Sequence, residues 1–283
     1  MKNILVPTDF SAEAHYAFEV ALHLAQHNGG RITLLHVLEL AEPADFSSSG
    51  SSVSSPNGSI DQIFAIKLME VTKRRLHDLM REAAIWAPDV PVQDAVEVDR
   101  TGEGILAAVK HHNINLVVMG TKGHEVAEHS FVSSTTERLI RLAPCPVLTV
   151  KHQPGDFEVR TIVFPSDFTE EATHAIHSLH QILAAFPSAT LHLLHVASGR
   201  DDQDMRQYMQ TFAQRAQLPD VKMGLVTASS TVAGIEEYAR QVNADLVIIP
   251  THTRSGLRSF FRTSIAETLA THAYPPVLTY HFQ

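Results

Sequence analysis

One sequence unit occurs twice in this chain of 283 residues. Ile4-Leu5-Val6-Pro7-Thr8-Asp9-Phe10-Ser11 recurs as Ile162-Val163-Phe164-Pro165-Ser166-Asp167-Phe168-Thr169. Thr33-Leu34-Leu35-His36-Val37 recurs in Leu191-His192-Leu193-Leu194-His195-Val196. Asn115–Met119 returns as Asp245–Ile249, and Pro144–Val150 as Tyr274–Tyr280. Internal self-similarity restricts the architecture more than any single motif, because both copies must satisfy the same packing. Four blocks in one order predict two domains of one fold, 1–152 and 153–283. The boundary is set by Gln153-Pro154-Gly155-Asp156, which interrupts any regular element. The first copy is the longer one. Much of its excess is the Ser/Gly/Asn-rich run Phe46–Ser59, which has little apolar area to bury and is expected to be a mobile loop.

Within each copy, short apolar runs alternate with helical patterns. In the first copy the reading is strand Asn3–Pro7, helix Ala12–Gln26 closed by Gly29-Gly30, and strand Arg31–Val37. Helix Ile60–Trp86, a strand near Gln93–Val98 and a helix near Gly102–His111 follow. Strand Asn115–Met119, a helix near Ser134–Leu142 and strand Val147–Val150 complete the copy. Strands that read as continuous apolar runs and alternate with helices indicate an α/β fold, with a parallel sheet covered on both faces. Such sheets bind ligands beyond the carboxyl ends of their strands. Asp9, Val37 and Gly120 all stand at such ends.

Composition narrows the classes of function. At 44% hydrophobic and 19% charged residues the chain can build sizeable soluble cores. A net charge of −9 opposes a general nucleic-acid binder, which needs a basic face. The single cysteine, Cys145, can form no internal disulfide. The N-terminal apolar run is too short for a signal peptide, and no apolar stretch is long enough to span a bilayer. A cytoplasmic protein without nucleic-acid or membrane partners is the expectation.

The stretch Met119–Arg138 carries the most chemistry. The apolar run ending at Met119 opens into Gly120 and Gly123, and the hydroxyl cluster Ser133–Thr136 precedes a helical pattern. Glycines allow close backbone approach, and a helix N-terminus presents N–H groups and a favourable dipole to an anion, so the stretch reads as a phosphate cradle. Asp9 can accept hydrogen bonds from ribose hydroxyls or a base amino group, and Val37 can wall an adenine. The plainer alternatives are that Asp9 caps the first helix and that the glycines form an ordinary turn.

Val-Pro-Thr-Asp-Phe-Ser, Leu-Leu-His-Val, Val-Met-Gly-Thr-Lys-Gly, Ser-Ser-Thr-Thr-Glu-Arg and Ala-Pro-Cys-Pro-Val-Leu together resemble the universal stress protein family in its tandem form. The resemblance covers essentially the whole chain. It implies two open five-stranded, Rossmann-like (HUP-type) domains that join through their last strands as an internal pseudo-dimer; a further homodimer and a protein partner are open. It also implies ATP or another adenine nucleotide, with or without Mg2+, in the first domain. Asp9 and Val37, with Pro7 and Thr8 beside them, would hold base and ribose. Met119, Gly120, Lys122, Gly123, Ser133, Ser134 and Thr135 would hold ribose and phosphates. Ser133 departs from the family pattern, which has a third glycine there. If that backbone needs a positive φ, serine is strained; if φ is negative, serine keeps the N–H and adds a donor.

The second copy departs further. Pro250, Thr253 and Thr263 replace the three glycines, while Asp167, Val196 and Ser264 remain. Arg254, Arg258 and Arg262 form either a solvated face or an anion site. The expectation is one nucleotide site and one degenerate domain. Among the 18 histidines, His111-His112, His174, His177 and His180 read as solvated, and His36 and His195 as packed in the core. No Gly-x-x-x-x-Gly-Lys-Ser/Thr or Gly-x-Ser-x-Gly motif is present, and Cys145 sits in a structural Pro-Cys-Pro turn. The expected role is therefore sensing or regulation under stress. The alternatives are a nucleotide-independent interaction module and a slow ATP hydrolase.

Overall fold

The structure is a computed structural model that describes residues 1–39, 58–121, 131–155, 157–197, 202–218, 220–252, 257–272 and 275–282. The first half runs β1 (Asn3–Pro7), α1 (Ala12–Asn28), β2 (Arg31–Leu38), α2 (Gly58–Trp86), β3 (Val92–Val98), α3 (Thr101–His111), β4 (Leu116–Gly120), α4 (Phe131–Leu142) and β5 (Val147–Val150). The second runs β6 (Thr161–Pro165), a 3-10 helix (Glu170–Ala175), α5 (Ile176–Leu183), β7 (Thr190–Ala197), α6 (Asp202–Arg215), β8 (Lys222–Thr227), α7 (Thr231–Gln241), β9 (Leu246–His252), α8 (Leu257–His272) and β10 (Val277–Phe282). Most of the run expected as a loop, Phe46–Ser59, lies outside the described residues; its last two residues already belong to α2.

The ten strands among the described residues form one sheet, ordered β3-β2-β1-β4-β5-β10-β9-β6-β7-β8. Pairing is parallel within each half and antiparallel only where β5 meets β10. Strand alternation places the core on both faces. Ile4 and Val6 join α1 and α2 residues such as Phe18 and Leu76 in one cluster, and Leu5 joins Ile105 of α3 and Leu139 of α4 in another. In the second half Ile162 and Phe164 share the first of these clusters, which therefore crosses the seam, while Val163 packs with Ile235 of α7 and Leu269 of α8.

The seam itself is symmetric. Leu148 lies opposite Leu278, its own equivalent in the other copy, with Thr149 opposite Val277 and Val147 opposite Thr279. Thr149 Oγ1 donates to the Val277 carbonyl at 3.2 Å. Across the same seam Arg141 of α4 forms an ion pair with Glu267 of α8, and its Nη2 donates to Glu267 Oε2 at 3.0 Å. Lys151 is buried and donates from Nζ to the Leu269 carbonyl at 3.1 Å. These contacts fulfil the expectation of an internal pseudo-dimer.

The halves differ at one packing point. A Cβ at Gly120 would stand 2.3 Å from the carbonyl carbon and oxygen of Glu13 and 2.5 Å from the Ala14 nitrogen. The first turn of α1 therefore lies directly on the end of β4, an approach that only glycine permits. In the second half Pro250 occupies this place, and the matching turn is not α-helical: Glu170–Ala175 is a 3-10 helix, and α5 starts only at Ile176. Proline thus brings a side chain to the strand end that glycine leaves bare, and the helix of this half opens as a 3-10 turn. Gly29, with φ 62°, makes the αL C-cap of α1 and its N–H donates to the Ala25 carbonyl.

Gly120→Ala is expected to destabilise the protein by about 1–3 kcal/mol, the usual range for overpacking a tight contact, seen as a lower denaturant midpoint at unchanged m-value. A second expectation concerns Lys151, whose ammonium burial lowers from 10.5 to about 7, against a smaller opposing pull from Glu236. Between those values the unfolded chain holds a proton that the folded chain has released, so this group adds stability as pH rises through that window. Lys151→Met should flatten the rise in melting temperature between pH 7 and 9.5; an unchanged slope would contradict this assignment.

Candidate functional site

The cleft of the first half begins at the turn after β1. Thr8 Oγ1 accepts from the Phe10 N–H at 3.0 Å, and Asp9 Oδ1 accepts from the Ser11 N–H at 2.9 Å. Ser11 is the N-cap of α1, accepting from the Ala14 N–H at 3.2 Å, so the capping role open to Asp9 falls to Ser11 instead. The turn is strained, with Phe10 at φ 64°, and the same position in the second half, Phe168, has φ 50°. Non-glycine residues hold such angles only where their surroundings impose them. In the first half the Phe10 ring lies against His36, tilted by 30° at 4.8 Å, and carries the Arg75 guanidinium 4.1 Å from its centroid.

Histidine at the end of β2 completes the clamp. His36 Nδ1 lies 2.7 Å from the Thr8 carbonyl, so Nδ1 is the donor and Nε2 of the neutral ring is left as an acceptor. His195 repeats the bond to the Ser166 carbonyl at 3.2 Å. The expectation that both histidines are packed core residues is corrected here: each is half-buried and lines a cleft, because each precedes the last inward residues of its strand at the carboxyl edge of the sheet.

Pro7, Thr8, Asp9, Val37, Met119, Gly120 and Thr135 line one cleft of about 200 Å³. Seven of the residues singled out from the sequence thus converge. Lys122 and Gly123 lie outside the described residues, as do the side chains of Ser133 and Ser134. The backbone of Ser133 and Ser134 belongs to α4, which begins at Phe131, three residues before the predicted start at Ser134. Ser133 is therefore a right-handed helical residue with negative φ, and the conformational freedom of a glycine is not needed there. It falls in the first turn, where N–H groups have no partner within the helix.

Ser11, Ala14, His36, Thr101 and Ile105 also line the cleft and were not among the predicted site residues. Comparing the two copies would have found two of them: Thr101 and Ile105 have equivalents in Thr231 and Ile235, which line the second cleft. Thr101 begins α3 and donates its N–H to Glu39 at 2.6 Å. Its hydroxyl and then its N–H hold the Glu39 carboxyl below the usual carboxylate range. This carboxylate caps α3 at the rim of the cleft, where Arg100, at the N-cap position, makes no side-chain cap.

Other candidate chemistry is quiet. Burial pushes the Cys145 thiol up to about 12, so it carries no thiolate at neutral pH. Among the described residues no group of three or more His, Cys, Asp or Glu could hold a metal. His180 is exposed, as expected, and its Nε2 bonds the Ala216 carbonyl at 2.7 Å. No helix among the described residues is long and apolar enough to cross a membrane.

The second half carries a matching cleft of about 200 Å³ at Pro165, Ser166, Asp167, His195, Val196, Thr231, Ile235, Ile249 and Pro250. Both clefts sit where strand ends and helix starts meet, the position open parallel sheets reserve for ligands.

Comparisons with known proteins agree with this architecture. A universal stress protein of Archaeoglobus fulgidus superposes with a TM-score of 0.71 at 17% identity, covering 98% of this chain and 97% of that one. One of Pseudomonas aeruginosa gives 0.62 at 17% identity, covering 100% and 94%. A Staphylococcus aureus protein described as a universal stress protein is 28% identical over 163 residues, 56% of this chain and 89% of that protein. The model of the universal stress protein family matches residues 1–151 and again 158–281, and the chain belongs to that family.

Proposed function

We propose that the first cleft binds an adenine nucleotide, ATP foremost, and that the protein acts as a sensor or regulator through the bound state. The reading is carried by one observation: Asp9, Val37, Met119, Gly120 and Thr135, drawn from four separate parts of the chain, line a single cleft at the carboxyl ends of β1, β2 and β4. Val37, Ile105 and Met119 offer apolar walls to a purine. Asp9 keeps acceptor capacity beyond the Ser11 N–H and can take ribose hydroxyls. The first turn of α4, which includes Ser133 and Ser134, supplies N–H groups for phosphates, with Lys122 and Gly123 as further contacts. Mg2+ would accompany the phosphates. Membership of the universal stress protein family supports the same reading.

A sensor needs no reaction on its ligand, and the carboxylate lining the cleft, Asp9, is held in place by the turn that opens α1. Calorimetric titration of the full chain with ATP should show saturable binding. Asp9→Ala should weaken it roughly 10- to 100-fold, as expected for losing charge-assisted hydrogen bonds. Absence of binding at millimolar ATP, together with no nucleotide released from denatured purified protein, would overturn the proposal in favour of a nucleotide-independent interaction module. Phosphate release well above the uncatalysed background would instead make it a hydrolase.

A further inference from the structure

The outward face of α2 is unlike the rest of the surface. Of the nine large apolar side chains exposed among the described residues, six stand on this one helix: Ile63, Phe64, Ile66, Val71, Ile85 and Trp86. Its packed side begins late. No described side chain from Ile63 to Val71 is buried, and Thr72 is the first that is, followed by Leu76 and Ala83. The turns before Thr72 therefore cover no core, and their apolar surface is left to be covered from outside. At about 100° per residue, Ile63, Phe64, Ile66 and Val71 spread over an arc of roughly 160°, wider than the narrow seam of a coiled coil. Cations share this arc: Lys67 and Arg74 stand four and eleven residues after Ile63, and Lys73 seven after Ile66. All three are exposed and form no ion pair with a described residue. Glu70 is the only carboxylate between Lys67 and Arg74, so in a chain of net charge −9 this face is locally basic.

We infer that α2 docks on an anionic lipid surface, lying along the interface with its outward face toward the bilayer. Ile63, Phe64, Ile66 and Val71 enter the boundary between headgroups and acyl chains, while Lys67, Lys73 and Arg74 reach anionic headgroups on their long stems. Charge and shape select this occupant. A second copy docked through the same face would set three cations against three more, with only Glu70 on each side to offset them. A helix of another protein would use one narrow seam, whereas a lipid interface accepts apolar side chains across the whole arc. A neutral surface would leave the cations without partners. The expectation of no membrane partner rested on span length, which a helix lying on the surface does not need. None of these α2 residues lines either ligand cleft, so the docking face is separate from both.

Co-sedimentation of the full chain with lipid vesicles tests this, using phosphatidylcholine alone or with about one part in three of phosphatidylserine. The chain should pellet with the phosphatidylserine vesicles at low salt, roughly tenfold more weakly with phosphatidylcholine alone, and should be released as salt rises. Ile63→Ser combined with Phe64→Ser should weaken pelleting roughly tenfold through lost apolar contact. Lys67→Gln, Lys73→Gln and Arg74→Gln together should weaken it roughly 10- to 100-fold. All five side chains are exposed, so both variants should keep the circular dichroism spectrum and melting temperature of the unmutated chain. No pelleting with phosphatidylserine vesicles, equal pelleting with both kinds of vesicle, or pelleting unchanged in either variant would overturn the inference. Sedimentation equilibrium adds one more outcome: a dimer of the full chain that Ile63→Ser with Phe64→Ser dissolves would assign the face to a second copy and overturn docking on lipid.

Discussion

A helix can rest its first turn on the end of β4 only because residue 120 has no side chain. The 2.3 Å separation that a Cβ would have from the Glu13 carbonyl leaves no room for compromise by small shifts. That contact fixes the N-terminus of α1, and with it the Ser11 cap and the Thr8-Asp9-Phe10 turn whose residues line the cleft. The same position carries Pro250 in the second copy, where the helix opens as a 3-10 turn. In the first copy one residue thus couples the packing of the fold to the shape of the cleft.

The second organising contact is the antiparallel pairing of β5 with β10, centred on Leu148 and Leu278. Because pairing within each half is parallel, the carboxyl ends of the two sets of strands point in opposite directions. The two clefts therefore open at opposite ends of a common sheet and cannot share a ligand. They can share energy, because the cluster containing Ile4, Phe18, Phe164 and Phe212 is continuous across the seam, Arg141–Glu267 joins α4 to α8, and Lys151 joins the end of β5 to α8. Ordering α4 around phosphates would be felt first by α8, its neighbour across the axis.

Much of the fold was legible because it follows local physics. β1 and β5 match their predicted bounds residue for residue, since short β-branched runs between prolines and polar caps admit few alternatives. α4 was placed three residues late because Phe131-Val132 precedes the hydroxyls and gives no stop or start signal. That error mattered for Ser133, whose fitness depended on whether it lay before or within the helix. The convergence of Asp9, Val37 and Gly120 was legible from strand ends alone. The roles of His36 and Ser11 were not, since each depends on a turn conformation fixed by through-space hydrogen bonds. The 3-10 opening of the helix at Glu170 was equally hidden, since the sequence there differs little from that at Ala12.

The central claim is that two copies of one domain on one sheet present clefts of similar size and different lining, with glycine at one strand end and proline at the other. The most direct measurement is a crystal structure of the full chain grown with saturating ATP. The account predicts a triphosphate in the first cleft, its phosphates between Gly120 and the first turn of α4, and no triphosphate against Pro250 and Ile265. Equivalent triphosphates in both clefts, or one in the second cleft alone, would contradict it.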